Sequence, residues 1–111
     1  MTENDARSML AERLAELDLL DASSEQGRAA VTLQQDSVGR LSRMDALQQQ
    51  AMAQAEQRRR NAERSRIRSA LDRLDEGGWG WCVTCGDQIA AGRLRNDPGI
   101  ATCVSCAGAN A

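Results

Sequence analysis

The chain has 111 residues, 41% hydrophobic and 27% charged, with no Phe, no Tyr, no His and only two Trp. That is one domain's worth of ordinary soluble composition, but much of the apolar count is Ala, so a globular core is thin and something else must help to organise the fold. The N-terminal "MTENDARSML" carries early acids and no apolar run, and nothing later reaches the roughly 18 apolar residues of a membrane span, so the expectation is a cytoplasmic protein with no membrane association. The net charge of -2 sets up no general field for nucleic acid.

Charge is nevertheless polarised along the chain. Residues 1–57 hold ten acids against five Arg, whereas residues 58–76 hold seven Arg against four acids.

Leu10, Leu14 and Leu17 recur at helical spacing, with Leu20 continuing the stripe, and predict an amphipathic helix over 5–21. The stretch "DASSEQGRAAVTLQQ" brings Ser-Ser, Gly27 and the β-branched pair Val31 and Thr32, so a loop is expected over 22–35. From Asp36, an N-cap candidate, to Glu76 there is no Pro and one early Gly, which predicts a single long helix over 36–76, about 60 Å in length. Its first part offers Val38, Leu41, Met44, Leu47, Ala51 and Ala55 as a seam for the leucines of the first helix, in an antiparallel hairpin with coiled-coil character. Only Ala62 is apolar in "EQRRRNAERSR", which reads as a solvated stalk. Gly77 and Gly78 stop the helix. The expected organisation is therefore a mostly α chain, a helical hairpin over 1–76 followed by a four-cysteine finger over 77–111. The last five residues, "AGANA", are too few and too small for a further packed helix.

Cys82, Cys85, Cys103 and Cys106 stand as C-x2-C-x17-C-x2-C. Each C-x2-C turn brings two thiolates to one ion, and two such turns complete the tetrahedron that zinc prefers, at about 2.3 Å per Zn–S bond. Four thiolates leave no open position, so one structural Zn2+ is expected and no activated water. Gly86 follows the second Cys, where a positive φ turns backbone N–H groups toward sulfur. Ile89, Leu94 and Ile100, with Trp79 and Trp81 against them, form a small apolar set beneath the knuckles. A structural zinc supplies roughly 10–16 kcal/mol, enough to offset the thin core. A redox C-x-x-C pair fits less well, because no strand-helix-strand unit surrounds it and one active pair leaves the other idle.

The helix leading through "RIRSALDRLDEGGWGWCVTCGDQIAAGRLRNDPGIATCVSC" resembles the DksA/TraR four-cysteine zinc finger family of bacterial regulators that bind RNA polymerase. The G-W-G-W-C entry, the C-G-x-x-I that follows, the R-L pair and the Pro before the last cysteines carry the resemblance over 67–106. It implies a helical hairpin that enters the secondary channel of the polymerase and modulates transcription without catalysis. Family members bear a D-x-x-D-x-A pattern at the hairpin tip. Here Asp36 begins "DSVGRL" and Asp45 begins "DALQQQ", each supplying one acid. The resemblance puts candidate partner contacts of tip and stalk at Asp36, Arg40, Asp45, Arg59 and Arg66. Some members also recognise guanosine tetraphosphate through basic residues. Arg66 matches one of these, but Asp97 stands before Pro98 and Ala107 after the last Cys, so alarmone dependence is expected to be weak or absent.

The Arg run at 58, 59, 60, 64, 66 and 68 reads equally as a solvated face paired with Glu56, Glu63 and Asp72 or as a polymerase-contacting face. Direct DNA binding is disfavoured by the absence of Lys and of interleaved aromatics. The alternatives to polymerase docking are a zinc ribbon that binds nucleic acid directly and a thiol redox sensor using Cys82 and Cys85. With no His and no phosphate loop, no hydrolytic constellation is present and a non-enzyme is expected.

Overall fold

The computed structural model describes residues 1–38 and 43–109, side chains included outside 25–38 and 109. Among the described residues four helices follow in order, α1 (Glu3–Val38), α2 (Arg43–Glu76), α3 (Ala91–Asn96) and α4 (Val104–Ala109). Among the described residues the only β pairing is an isolated antiparallel bridge between Trp81 and Gln88. The chain is thus mostly α with a C-terminal four-cysteine finger, as its sequence leads one to expect.

Helix α1 begins earlier than the apolar stripe suggests because Thr2 caps it. The Thr2 hydroxyl accepts from the Asp5 N–H at 3.1 Å, and the Asp5 carboxylate accepts from the Thr2 N–H at 3.1 Å. This reciprocal box satisfies two N–H groups at the helix start. Hydrogen bonding from Thr2, its backbone N–H first and its side chain second, holds the Asp5 carboxyl below its usual range.

The expected loop over 22–35 is a correction: those residues are helical, and α1 continues to Val38. Gly27 costs only about 1 kcal/mol relative to Ala inside a helix, whereas breaking there strands unpaired N–H and C=O groups at two new ends. Asp36, expected to open the second helix, consequently lies in α1, and α2 starts at Arg43. Residues Arg40 and Leu41 lie outside the described residues, as do the side chains of Asp36 and Val38.

Tertiary contacts divide the chain into two units, Met1–Leu14 with Arg64–Ala111, and Ala15–Glu63. In the first, the start of α1 and the end of α2 pack with the finger. Ala6, Leu10, Ile67, Ala70 and Leu74 are buried together with Trp79, Ile89 and Leu94. Arg7 pairs with Asp75 at 2.8 Å on the surface. Gly77 adopts φ +82°, and the Gly78 N–H reaches back to the Arg73 carbonyl at 2.8 Å, a Schellman ending that closes α2 where the two glycines predict. A Cβ at Gly99 would crowd Asp97 Oδ1 at 3.3 Å and meet the Leu10 Cδ2 methyl in ordinary contact at 3.7 Å.

In the second unit Leu17 is fully buried, but the seam differs from the expected one. Met44 and Leu47 are 72% and 64% exposed, Ala51 is exposed, and only Ala55 of that described set is half-buried. In this unit the half-buried positions of α2 are Ala46, Ala53, Ala55, Gln57, Arg60 and Glu63. On α1 the stripe passes from Leu17 to Asp21, while Leu20 points outward. The stalk reading is corrected with it: Arg60 is no solvated side chain, since its Nε donates to Asp21 Oδ1 at 2.7 Å with side-chain exposures of only 14% and 25%. Three small alanines, Ala46, Ala53 and Ala55, are half-buried there, and a paired cation and anion fill the place that larger apolar groups would take.

Candidate metal centre

The finger is built from two knuckles whose backbones are tied to each other. In the first, the Cys82 N–H donates to the Asp87 carbonyl at 2.7 Å and the Gly86 N–H to the Cys82 carbonyl at 2.9 Å, with Gly86 at φ +78°. An L side chain rarely adopts that angle, so the glycine lets the chain reverse directly after Cys85. The Val83 N–H donates to the Ala101 carbonyl at 2.9 Å, which joins the first knuckle to the strand of chain entering the second. In the second, Cys103 precedes α4 and Cys106 lies within it. The Ala107 N–H bonds the Cys103 carbonyl at 3.0 Å. The short α4 is a further correction, because the small C-terminal residues do form a helical turn once Cys103 and Cys106 anchor it.

Between the knuckles, α3 buries Leu94, and its Arg93 Nε donates to the Thr102 carbonyl at 3.0 Å. The turn after α3 is held by Asp97, whose Oδ1 accepts the Gly99 N–H at 3.0 Å. Trp79 is buried and donates its indole N–H to the Pro98 carbonyl at 2.9 Å. Trp81, in contrast, is half exposed.

The four sulfurs lie within 4.8 Å of one another, and Cys85 Sγ stands 3.7 Å from Cys103 Sγ. Four sulfurs at about 2.3 Å from a tetrahedral zinc are separated by roughly 3.8 Å. The spacing therefore suits a metal cage and is far too long for a disulfide, about 2.05 Å, and all four thiols are free. Cys82 is buried and Cys85 exposed, with Cys103 and Cys106 intermediate.

The electrostatics agree with the geometry. Backbone N–H groups of Cys85 and Cys103 pull the Cys82 thiol down to about 6. At Cys85 the Asp87 N–H favours the thiolate, but the neighbouring Cys82 sulfur and desolvation push the thiol up overall. The sulfurs of Cys103, Cys82 and Cys85 raise Cys106 to about 12. Several thiolates so close together repel, and a divalent cation relieves that repulsion.

Of the other candidate residues, Arg59 and Asp45 stand exposed on α2. Arg66 is exposed too, and its Nη1 lies 3.4 Å from Asp97 Oδ2. The part-buried Asp21–Arg60 pair escaped the sequence reading. Its one signal was that Asp21 follows Leu17 by four residues and so shares its face.

The helices thus lead into a cluster of four thiols whose spacing suits a single tetrahedral metal ion. Residues 77–110 match the family model described as the prokaryotic dksA/traR C4-type zinc finger, and the C-terminal segment carries that finger. The fold is similar to that of a solved structure, transcription factor DksA2 from Pseudomonas aeruginosa, with a TM-score of 0.75 and 20% identity over 97% of this chain and 81% of that one. No curated protein matches the chain by sequence. The resemblance carried by the residues leading into and through the finger is thereby met on both counts.

Proposed function

We propose that this protein is a DksA-like regulator of transcription, in which one structural zinc holds the finger and the paired helices dock in the secondary channel of bacterial RNA polymerase. The observation that carries this reading is the joint occurrence of the dksA/traR finger at 77–110 and a fold shared with transcription factor DksA2 over nearly the whole chain. Asp36, Arg40, Asp45, Arg59 and Arg66 are the residues proposed to meet the polymerase. The four thiols leave no coordination position for substrate, in keeping with a binding role and no catalysis.

Weak dependence on guanosine tetraphosphate forms part of the proposal. Phosphate recognition needs converging cations, and the Arg66 guanidinium stands beside the Asp97 carboxylate at 3.4 Å, which offsets its charge.

The test is binding of the zinc-loaded chain to core RNA polymerase, with and without guanosine tetraphosphate, alongside an Asp45→Arg variant in a transcription assay. Binding that a zinc chelator abolishes and the nucleotide leaves unchanged is expected, with the variant altering transcript yield. Failure to bind core polymerase overturns the proposal.

A further inference from the structure

Helix α2 meets α1 through Gln57 and Arg60, which bond Asp21. A different face of the same helix holds Met44, Leu47 and Met52, three large apolar side chains left mostly exposed. Alternating steps of four and three residues carry this face through Met44, Gln48, Ala51, Ala55, Arg58 and Ala62, the repeat by which one helix lies along another. All six are exposed except the half-buried Ala55. No charged residue falls within 46–55, whereas Asp45 precedes that stretch and Arg58 and Arg59 follow it.

We propose that this face binds a second copy of the chain, α2 against α2 in antiparallel orientation. One register satisfies the face along its length. Met44 then lies opposite Ala62 of the second copy, a large side chain against a small one at each end. Ala51 lies opposite Ala55 of the second copy, and Arg58 beside Gln48, whose amide oxygen accepts from the guanidinium. Along one edge Asp45 pairs with Arg59 of the second copy, and Met52 meets its own counterpart on the two-fold axis. The charges therefore match at both ends of the contact.

The occupant follows from this match of charge and size, because the face complements itself. A parallel pairing places Arg58 against Arg58 and Asp45 against Asp45, which like charges oppose. Asp45 and Arg59 are fourteen residues apart, about 21 Å along the helix, so they cannot pair within one chain. The inference does not rest on docking to RNA polymerase.

The experiment is sedimentation equilibrium of the full zinc-loaded chain from about 5 µM to about 1 mM, a range that covers weak contacts of small area. The average mass is expected to rise from that of one chain toward that of two. Ala51→Glu puts a carboxylate into the centre of the contact, at a position exposed in the single chain, and should weaken association roughly tenfold or more. Asp45→Arg and Arg59→Asp should each weaken it roughly fivefold, and the two together should restore it. Gln49→Glu, off this face, should leave it unchanged. Circular dichroism and zinc content of each variant separate loss of the contact from loss of the fold. A chain that stays single throughout overturns the proposal and leaves the face to a helix of another protein. Association undiminished by Ala51→Glu overturns it too, as do charge exchanges without effect singly or without rescue together.

Discussion

Arg60 Nε donates to Asp21 Oδ1 at 2.7 Å, and the Gln57 amide donates to the same oxygen at 3.2 Å. A charged pair thus occupies a place between α1 and α2 where a coiled-coil seam ordinarily holds apolar side chains. Removing one member leaves its partner partly desolvated and without its opposite charge, which costs more than replacing both. Asp21→Ala is expected to destabilise the zinc-loaded chain by about 1–2 kcal/mol in urea unfolding, the pair being only partly buried. Replacing both Asp21 and Arg60 with Leu should be neutral or stabilising. Equal losses in the single and double variants would show that the pair has no such role.

The finger is expected to depend on its ion. Elemental analysis should return one zinc per chain, and Cys82→Ser or Cys106→Ser should lower that content sharply. Chelation should then abolish the near-ultraviolet circular dichroism of Trp79, which is buried against the finger, because structural zinc supplies roughly 10–16 kcal/mol to such modules. A metal-free chain with an unchanged spectrum and unchanged melting temperature contradicts this account.

Acid should release the metal. Cys82 titrates near 6 in the folded site against an ordinary value of 9.0. Its folded-state value is depressed, so its contribution to stability is fully present above pH 9 and is lost as pH falls through about 6. Protons compete with zinc for the same thiolates. Zinc retention measured by a colorimetric chelator should therefore fall steeply between about pH 6.5 and 5. Retention that is flat across that interval counts against thiolate ligation.

Trp79→Phe removes the indole donor and leaves the Pro98 carbonyl without this 2.9 Å bond. A cost of about 1–2 kcal/mol is expected in urea unfolding of the zinc-loaded chain, since a lost donor to a buried acceptor is not replaced by water. Trp81→Phe, at a half-exposed position, should cost much less. Equal costs at the two positions run against the hydrogen bond as the cause.

The clustering of the four thiols was legible in the order of residues because its encoding is local. Two cysteines three apart bring their thiols together at a turn, and Gly86 supplies a backbone angle that L side chains avoid. The end of α2 was legible for the same reason, as Gly77 and Gly78 fall where a helix needs a left-handed residue. The continuity of α1 through 22–35 was not, since Ser-Ser and Gly27 weaken helix propensity without forbidding the helix. Nor was the seam, because Met44 and Leu47 make a better apolar stripe than Ala46 and Ala53 on hydrophobicity alone. Only the folded chain decided which stripe of α2 turns inward, for a seam is chosen jointly with the facing helix. There Gln57 and Arg60 bond Asp21, Leu17 is buried and Ala53 half-buried, and Met44 and Leu47 are left to the solvent.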